Sequence, residues 1–123
     1  MAGAWESYVA CAPVDAEAVR RMILALPEVE EYDHGGLPAF RVRGKRFASM
    51  LDESGINLMP GEPAIRMATE TWPDACTERW FGKRLAAVRV TLPAADDIIE
   101  ELVIEAWASK APKRVAREFL GAA

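Results

Sequence analysis

Between residues 37 and 59, apolar and polar side chains alternate with a period of two, interrupted only by turn formers. Phe40 and Val42 alternate with Arg41 and Arg43. Phe47, Ser49 and Leu51 alternate with Arg46, Ala48 and Met50, and Ile56 and Leu58 resume the apolar parity. Arg43-Gly44 and Asp52-Glu53-Ser54-Gly55 separate the three runs. Alternation bounded by Gly-containing turns predicts a half-buried antiparallel meander. A two-residue loop at Arg43-Gly44 sets Val42 against Lys45, Arg41 against Arg46 and Phe40 against Phe47. A three-residue loop would oppose Phe40 and Arg46 and mix charge with apolar surface on one face, so the first register is expected. It leaves Arg41, Arg43 and Arg46 on the outer face with Lys45 at the tip.

The flanking segments change period. Val19, Met22, Ile23 and Leu26 fall at i, i+3, i+4 and i+7, the single stripe of an amphipathic helix. Asp15 is placed to cap that helix, Val14 to staple onto Val19, and Pro27 ends it. The acidic run Glu28 to His34 is read as an edge strand with Val29 and Tyr32 turned inward, and Gly35-Gly36 and Pro38 break the chain before the meander. Pro60-Gly61-Glu62-Pro63 opens a short helix to about Ala68. Residues 71–82 are rich in turn formers and carry Trp72, Trp80 and Phe81, so a surface loop with room for a short strand, pinned by large rings, is expected. Ala86, Val88, Val90 and Leu92 alternate with Ala87, Arg89 and Thr91 as a further half-buried strand. Arg89 joins the outer face only if that strand lies in the same sheet. From Pro93 a long helix buries Ile98, Ile99, Leu102, Val103, Ala106 and Trp107, with Asp96 and Asp97 at its positive N-terminus. Pro112 separates a final basic turn over residues 113–120. The pattern as a whole is α+β: an antiparallel meander packed by helices.

Length and charge narrow the function. The 123 residues fit one domain, residues 1–123, large enough for a real core. A formal net charge of −4 opposes nucleic-acid binding through the whole surface, so such a role has to rest on a local patch. Cys11 and Cys76 lie far apart without metal-like spacing and suggest buried or free thiols in a reducing compartment. The N-terminus lacks the pattern of a signal peptide, and no stretch reaches the ~20 apolar residues of a membrane span. A soluble, cytoplasmic protein without cofactor is expected.

Candidate chemistry is sparse. His34 is the single histidine, and without a second His or a Cys–His spacing it reads as a strand-end residue, neither metal ligand nor catalytic base. Gly35-Gly36 precedes a proline and a strand, which is not a phosphate loop. Glu28, Glu30, Glu31 and Asp33 read as a solvated face. No nucleophile elbow is present, so no catalytic residue is assigned. Two features stand out: the basic hairpin Arg41, Arg43, Lys45 and Arg46, and the aromatic residues Trp72, Trp80 and Phe81.

The segment Pro38-Ala39-Phe40-Arg41-Val42-Arg43-Gly44-Lys45-Arg46-Phe47-Ala48 resembles the core of the MmcQ/YjbR-like family. Further pieces occur in the family's order: Leu26-Pro27-Glu28-Val29, Ile56-Asn57-Leu58 before a Pro/Glu helix start, Trp80-Phe81-Gly82-Lys83-Arg84, and Glu105-Ala106-Trp107 before Ala111-Pro112-Lys113-Arg114. The chain departs from many members at Leu85-Ala86-Ala87, where a tryptophan is common, and at Ala106-Trp107. The resemblance implies a compact α+β fold similar to secretion-chaperone-like and CyaY-like architectures. It also implies a DNA-binding, non-enzymatic role, because the family's hairpins look like a double wing. Arg41, Arg43, Lys45 and Arg46 would then touch phosphates. The alternative is a protein-interaction module using the sheet face or the ring-bearing segment 72–81.

Overall fold

The computed structural model describes residues 13–121. Its elements run α1 (Ala16–Leu24), β1 (Val29–His34), β2 (Leu37–Val42), β3 (Lys45–Asp52), β4 (Gly55–Leu58), α2 (Glu62–Thr71), β5 (Cys76–Phe81), β6 (Arg84–Thr91), α3 (Asp96–Lys110) and α4 (Lys113–Gly121). The strands form one antiparallel sheet in the order β1-β2-β3-β4-β6-β5. The expected meander is therefore real and longer by a strand, because the acidic segment pairs with β2 as the edge strand β1.

Local chemistry explains the turns. Gly35-Gly36 joins His34 to its partner Leu37, and Arg43-Gly44 joins Val42 to Lys45. All four turn residues have positive φ (67°, 93°, 51° and 80°), as the two-residue turns matching strand twist require. At α1, the Asp15 carboxylate accepts a hydrogen bond from the Ala18 amide at 2.9 Å, the expected cap. Val14 is buried with Val19 in the core and also pairs with Ala94. The α3 helix begins at Asp96, after a cis Leu92-Pro93 bond, a few residues later than Pro93 suggested. Residues 113–121 are a full helix rather than a turn.

One register expectation needs correction. Val42 faces Lys45 and Arg41 faces Arg46 as anticipated, but Phe40 pairs with Ala48, not Phe47, because β3 bulges at Phe47. A second irregularity follows between Ser49 and Asp52, where Met50 adopts φ 52°. Each inserted residue inverts the facing of the strand beyond it. Phe47 and Ala48 thus both enter the core, while Ser49, opposite Asn57, lies on the other face. The alternation had placed Ser49 inward and Ala48 outward.

The core unites Phe40, Val42, Phe47, Ile56, Leu58, Val88 and Val90 from the sheet with Val19, Ile23, Ile65, Ile99, Leu102, Val103 and Trp107 from the helices. Trp107 is fully buried, donates its indole N–H to the Pro27 carbonyl at 3.0 Å, and meets Phe119 edge-on with centroids 5.2 Å apart. Burying large apolar side chains of this kind stabilises by about 1.5–3 kcal/mol each. The helices cover one face of the sheet. The opposite face is left to a groove whose lining comes wholly from strands and their connections.

Candidate functional site

That uncovered face holds a groove of about 690 Å³, lined among others by His34, Arg46, Ser49, Asn57, Arg79, Trp80, Phe81, Arg84 and Arg89. Its lining contains four arginines and no carboxylate. The four are not equivalent.

Arg89 is a structural cation. It lies on β6 opposite Asn57 of β4, so the late strand does share the sheet and Arg89 does join the outer face. Its guanidinium donates to the Met50 carbonyl (2.8 Å), Asn57 Oδ1 (3.2 Å), Asp52 Oδ1 (3.0 Å) and Ser54 Oγ (3.2 Å). The first of these satisfies the carbonyl of Met50, which lies in the stretch where the second irregularity interrupts the β3–β4 ladder. Asp52 Oδ1 also receives the Ser54 hydroxyl and the amides of Ser54 and Gly55. The Ser54 hydroxyl above all, with those amides and Arg89, holds the Asp52 carboxyl below its ordinary value.

Arg46, Arg79 and Arg84 have no carboxylate within ion-pair distance among the described residues. Arg46 Nη1 approaches His34 Nε2 at 3.1 Å. Arg84 begins β6 across the Gly82-Lys83 turn from Phe81. Lys110 of α3 donates to the carbonyl of Met59, a lining residue, at 3.3 Å. Burial first, and then the positive charges of Arg84 and Lys45, hold the Lys110 ammonium below the ordinary lysine value. Cations thus gather here, and none of the lining residues is an acid.

The hairpin cluster read from the sequence divides. Arg41 donates to Glu30, its cross-strand partner on β1, at 2.6 Å, and lies 4.4 Å from the centroid of the Tyr32 ring. Tyr32 is therefore on the open face rather than turned inward. Arg43 is hydrogen-bonded to Glu28. These bonds hold both glutamates below the ordinary carboxylate range. A third acid of the run, Glu31, pairs with Arg20 at 2.7 Å. Lys45 and Arg46 keep their charge uncompensated among the described residues, and only Arg46 lines the groove.

The ring-bearing segment also divides. Trp72 ends α2 and packs against the core. Trp80 and Phe81 stand on strand β5 beside the groove, 50% and 78% exposed. Of the segment 71–82, expected as a surface loop with room for a short strand, Cys76–Phe81 form the full edge strand β5 and a hairpin turn follows, with Gly82 at φ 63°. The signal was present: Gly-Lys between Trp80-Phe81 and an alternating run fits the primed hairpin turn with glycine in its first central position. Arg79 and Arg84 went unassigned because that hairpin was not recognised. The register shift in this hairpin opposes Trp80 to Leu85 and Arg79 to Ala87, and both Arg79 and Trp80 line the groove. The Trp80 indole donates to Glu78 at 3.1 Å, which orients the ring.

Burial pushes the Cys76 thiol up to about 11, away from the thiolate range of a nucleophile. Cys11 lies outside the described residues. Among the described residues no group of three or more His, Cys, Asp or Glu is placed to hold a metal ion, and no helix is long and apolar enough to cross a membrane.

Fold and site define an α+β protein with helices on one side of an antiparallel sheet and a basic, aromatic-edged groove on the other. The sequence model of the YjbR family matches residues 24–109. The chain belongs to the YjbR family. No curated protein and no solved structure matches it.

Proposed function

We propose that this protein is a non-enzymatic DNA-binding protein that takes the phosphate backbone onto the open face of its sheet. The observation that carries the reading is the groove lining, in which Arg46, Arg79 and Arg84 converge with no carboxylate among them. Phosphate neutralisation supplies most of the affinity in such contacts and makes it strongly salt-dependent. The chain is acidic as a whole, so a local concentration of cations is what can overcome its long-range field.

The reading shifts weight within the cluster expected from the sequence. Arg41 and Arg43 already have intramolecular acids, whereas Lys45 and Arg46 remain available. Fluorescence anisotropy with labelled DNA, single- and double-stranded, at ~20 mM salt and upward tests this. Replacing Arg46, Arg79 and Arg84 by Gln should weaken binding and flatten the log–log salt slope by about 0.7–0.9 per arginine removed. Replacing Arg41 and Arg43 by Gln should leave the slope nearly unchanged. If neither form of DNA binds at low salt, the reading fails, and the exposed Trp80 and Phe81 become the contact of a protein-interaction module.

A further inference from the structure

We propose that the groove selects single-stranded over double-stranded DNA, with Trp80 and Phe81 serving as stacking platforms for unpaired bases. The inference rests on the DNA-binding reading above and adds to it the form of the ligand.

Three observations carry it. The first is the pairing of chemistry. Exposed aromatic rings beside uncompensated arginines are the two components with which proteins grip a single strand, one for the base faces and one for the backbone. Trp80 and Phe81 adjoin Arg79 in β5, and Arg84 faces Phe81 across the turn. In a duplex the base faces are covered by their neighbours, so two exposed rings would find nothing to stack on.

The second is preorganisation. The Trp80 indole is anchored to Glu78 on the same strand, so little ordering remains to be done when a base arrives. The ring is half exposed despite its size, and no hydrogen-bonding demand turns it inward.

The third is the floor between the cations. Ser49, buried, and Asn57 lie on β3 and β4 directly opposite each other within the groove. Asn57 spends its carbonyl on Arg89, which points its role toward donation from the amide nitrogen. Donors on a recessed floor can reach a base edge only when the base leaves its stack. At about 690 Å³ the groove is of the size that takes a small ligand, which suits a few splayed nucleotides and not the face of a duplex.

The test compares oligo(dT) with a duplex of equal length at one salt concentration, using native protein and the variants Trp80→Ala, Phe81→Ala and Trp80→Phe. Both rings are exposed, so the fold should survive, and circular dichroism with thermal melting checks this. The native protein should bind oligo(dT) more tightly than the duplex. Each alanine variant should lose roughly 5- to 150-fold in affinity for oligo(dT), the range expected for one stacked base, with the salt slope unchanged. Duplex affinity should not move, and Trp80→Phe should recover part of the loss by restoring a ring. Equal or tighter duplex binding, or indifference of oligo(dT) affinity to both alanine changes, would overturn the single-strand inference and leave the DNA-binding reading intact. Absence of binding to both forms overturns both.

Discussion

At the scale of single residues, the open face is organised by Arg89 and by the glycine beneath it. A Cβ on Gly55 would sit 2.6 Å from the Val90 carbonyl oxygen and 3.0 Å from Arg89 Nε. The first is backbone and cannot yield, and the second belongs to the side chain that holds the Met50 carbonyl, Asp52 and Ser54 together. Gly55→Ala should therefore cost about 1–3 kcal/mol, as overpacking of a filled site does, read as a lower midpoint in urea. Arg89→Met should cost more, because it removes several charge-assisted hydrogen bonds, each worth roughly 1.5–3 kcal/mol. Neither position announced itself in the sequence. Gly55 looked like an ordinary turn glycine, and Arg89 like a solvated strand residue, because the four acceptors that converge on it come from β3, β4 and the turn between them. Sequence order does not display that convergence.

Elements were more legible than their details. Alternation found β2, β3, β4 and β6, and the 3.6-residue stripe found α1 with its cap. The bulges in β3 left almost no trace for a simple reason. Two inversions of facing cancel, so Phe47 and Leu51 point inward with or without them, and only the small residues Ala48 and Ser49 between exchange faces. Hydropathy speaks weakly for either of these. The hairpin β1–β2 makes a separate prediction about pH. Glu28 and Glu30 are held below their ordinary value by hydrogen bonds from Arg43 and Arg41. A carboxyl depressed in the folded state stabilises fully above its unfolded value, here 4.5, and loses that contribution as pH falls through the depressed folded value. The melting temperature should accordingly fall on acidification below about pH 4.5. In the double variant Glu28→Gln, Glu30→Gln that part of the decline should be shallower, as followed by thermal melts in matched buffers.

On the scale of the molecule, charge is segregated. Helix α3 turns Asp96, Asp97, Glu100, Glu101 and Glu105 to solvent, while the groove gathers Arg46, Arg79, Arg84 and Arg89. A net charge of −4 thus conceals a basic face, and composition alone pointed away from it. The site was half readable for the same reason: the basic hairpin was visible as a run, but β5 and β6 contribute through tertiary assembly, and two of the visible arginines are satisfied by an acidic strand 11 and 15 residues away. Lys110, at the end of α3, keeps its amine on the Met59 carbonyl and Ser109 hydroxyl, and burial first, then the charges of Arg84 and Lys45, favours loss of its proton. An anion settling there would relieve that repulsion and let the amine hold its proton to higher pH. Ligand capture in alkaline buffer, below the ordinary lysine value of 10.5, should then draw protons from solution. Calorimetric binding enthalpies measured in buffers of different ionisation heat should diverge at that pH, and Lys110→Met should abolish the divergence. A lysine bonded to one of the lining residues would thereby report occupancy of the groove as a proton count, with no label attached.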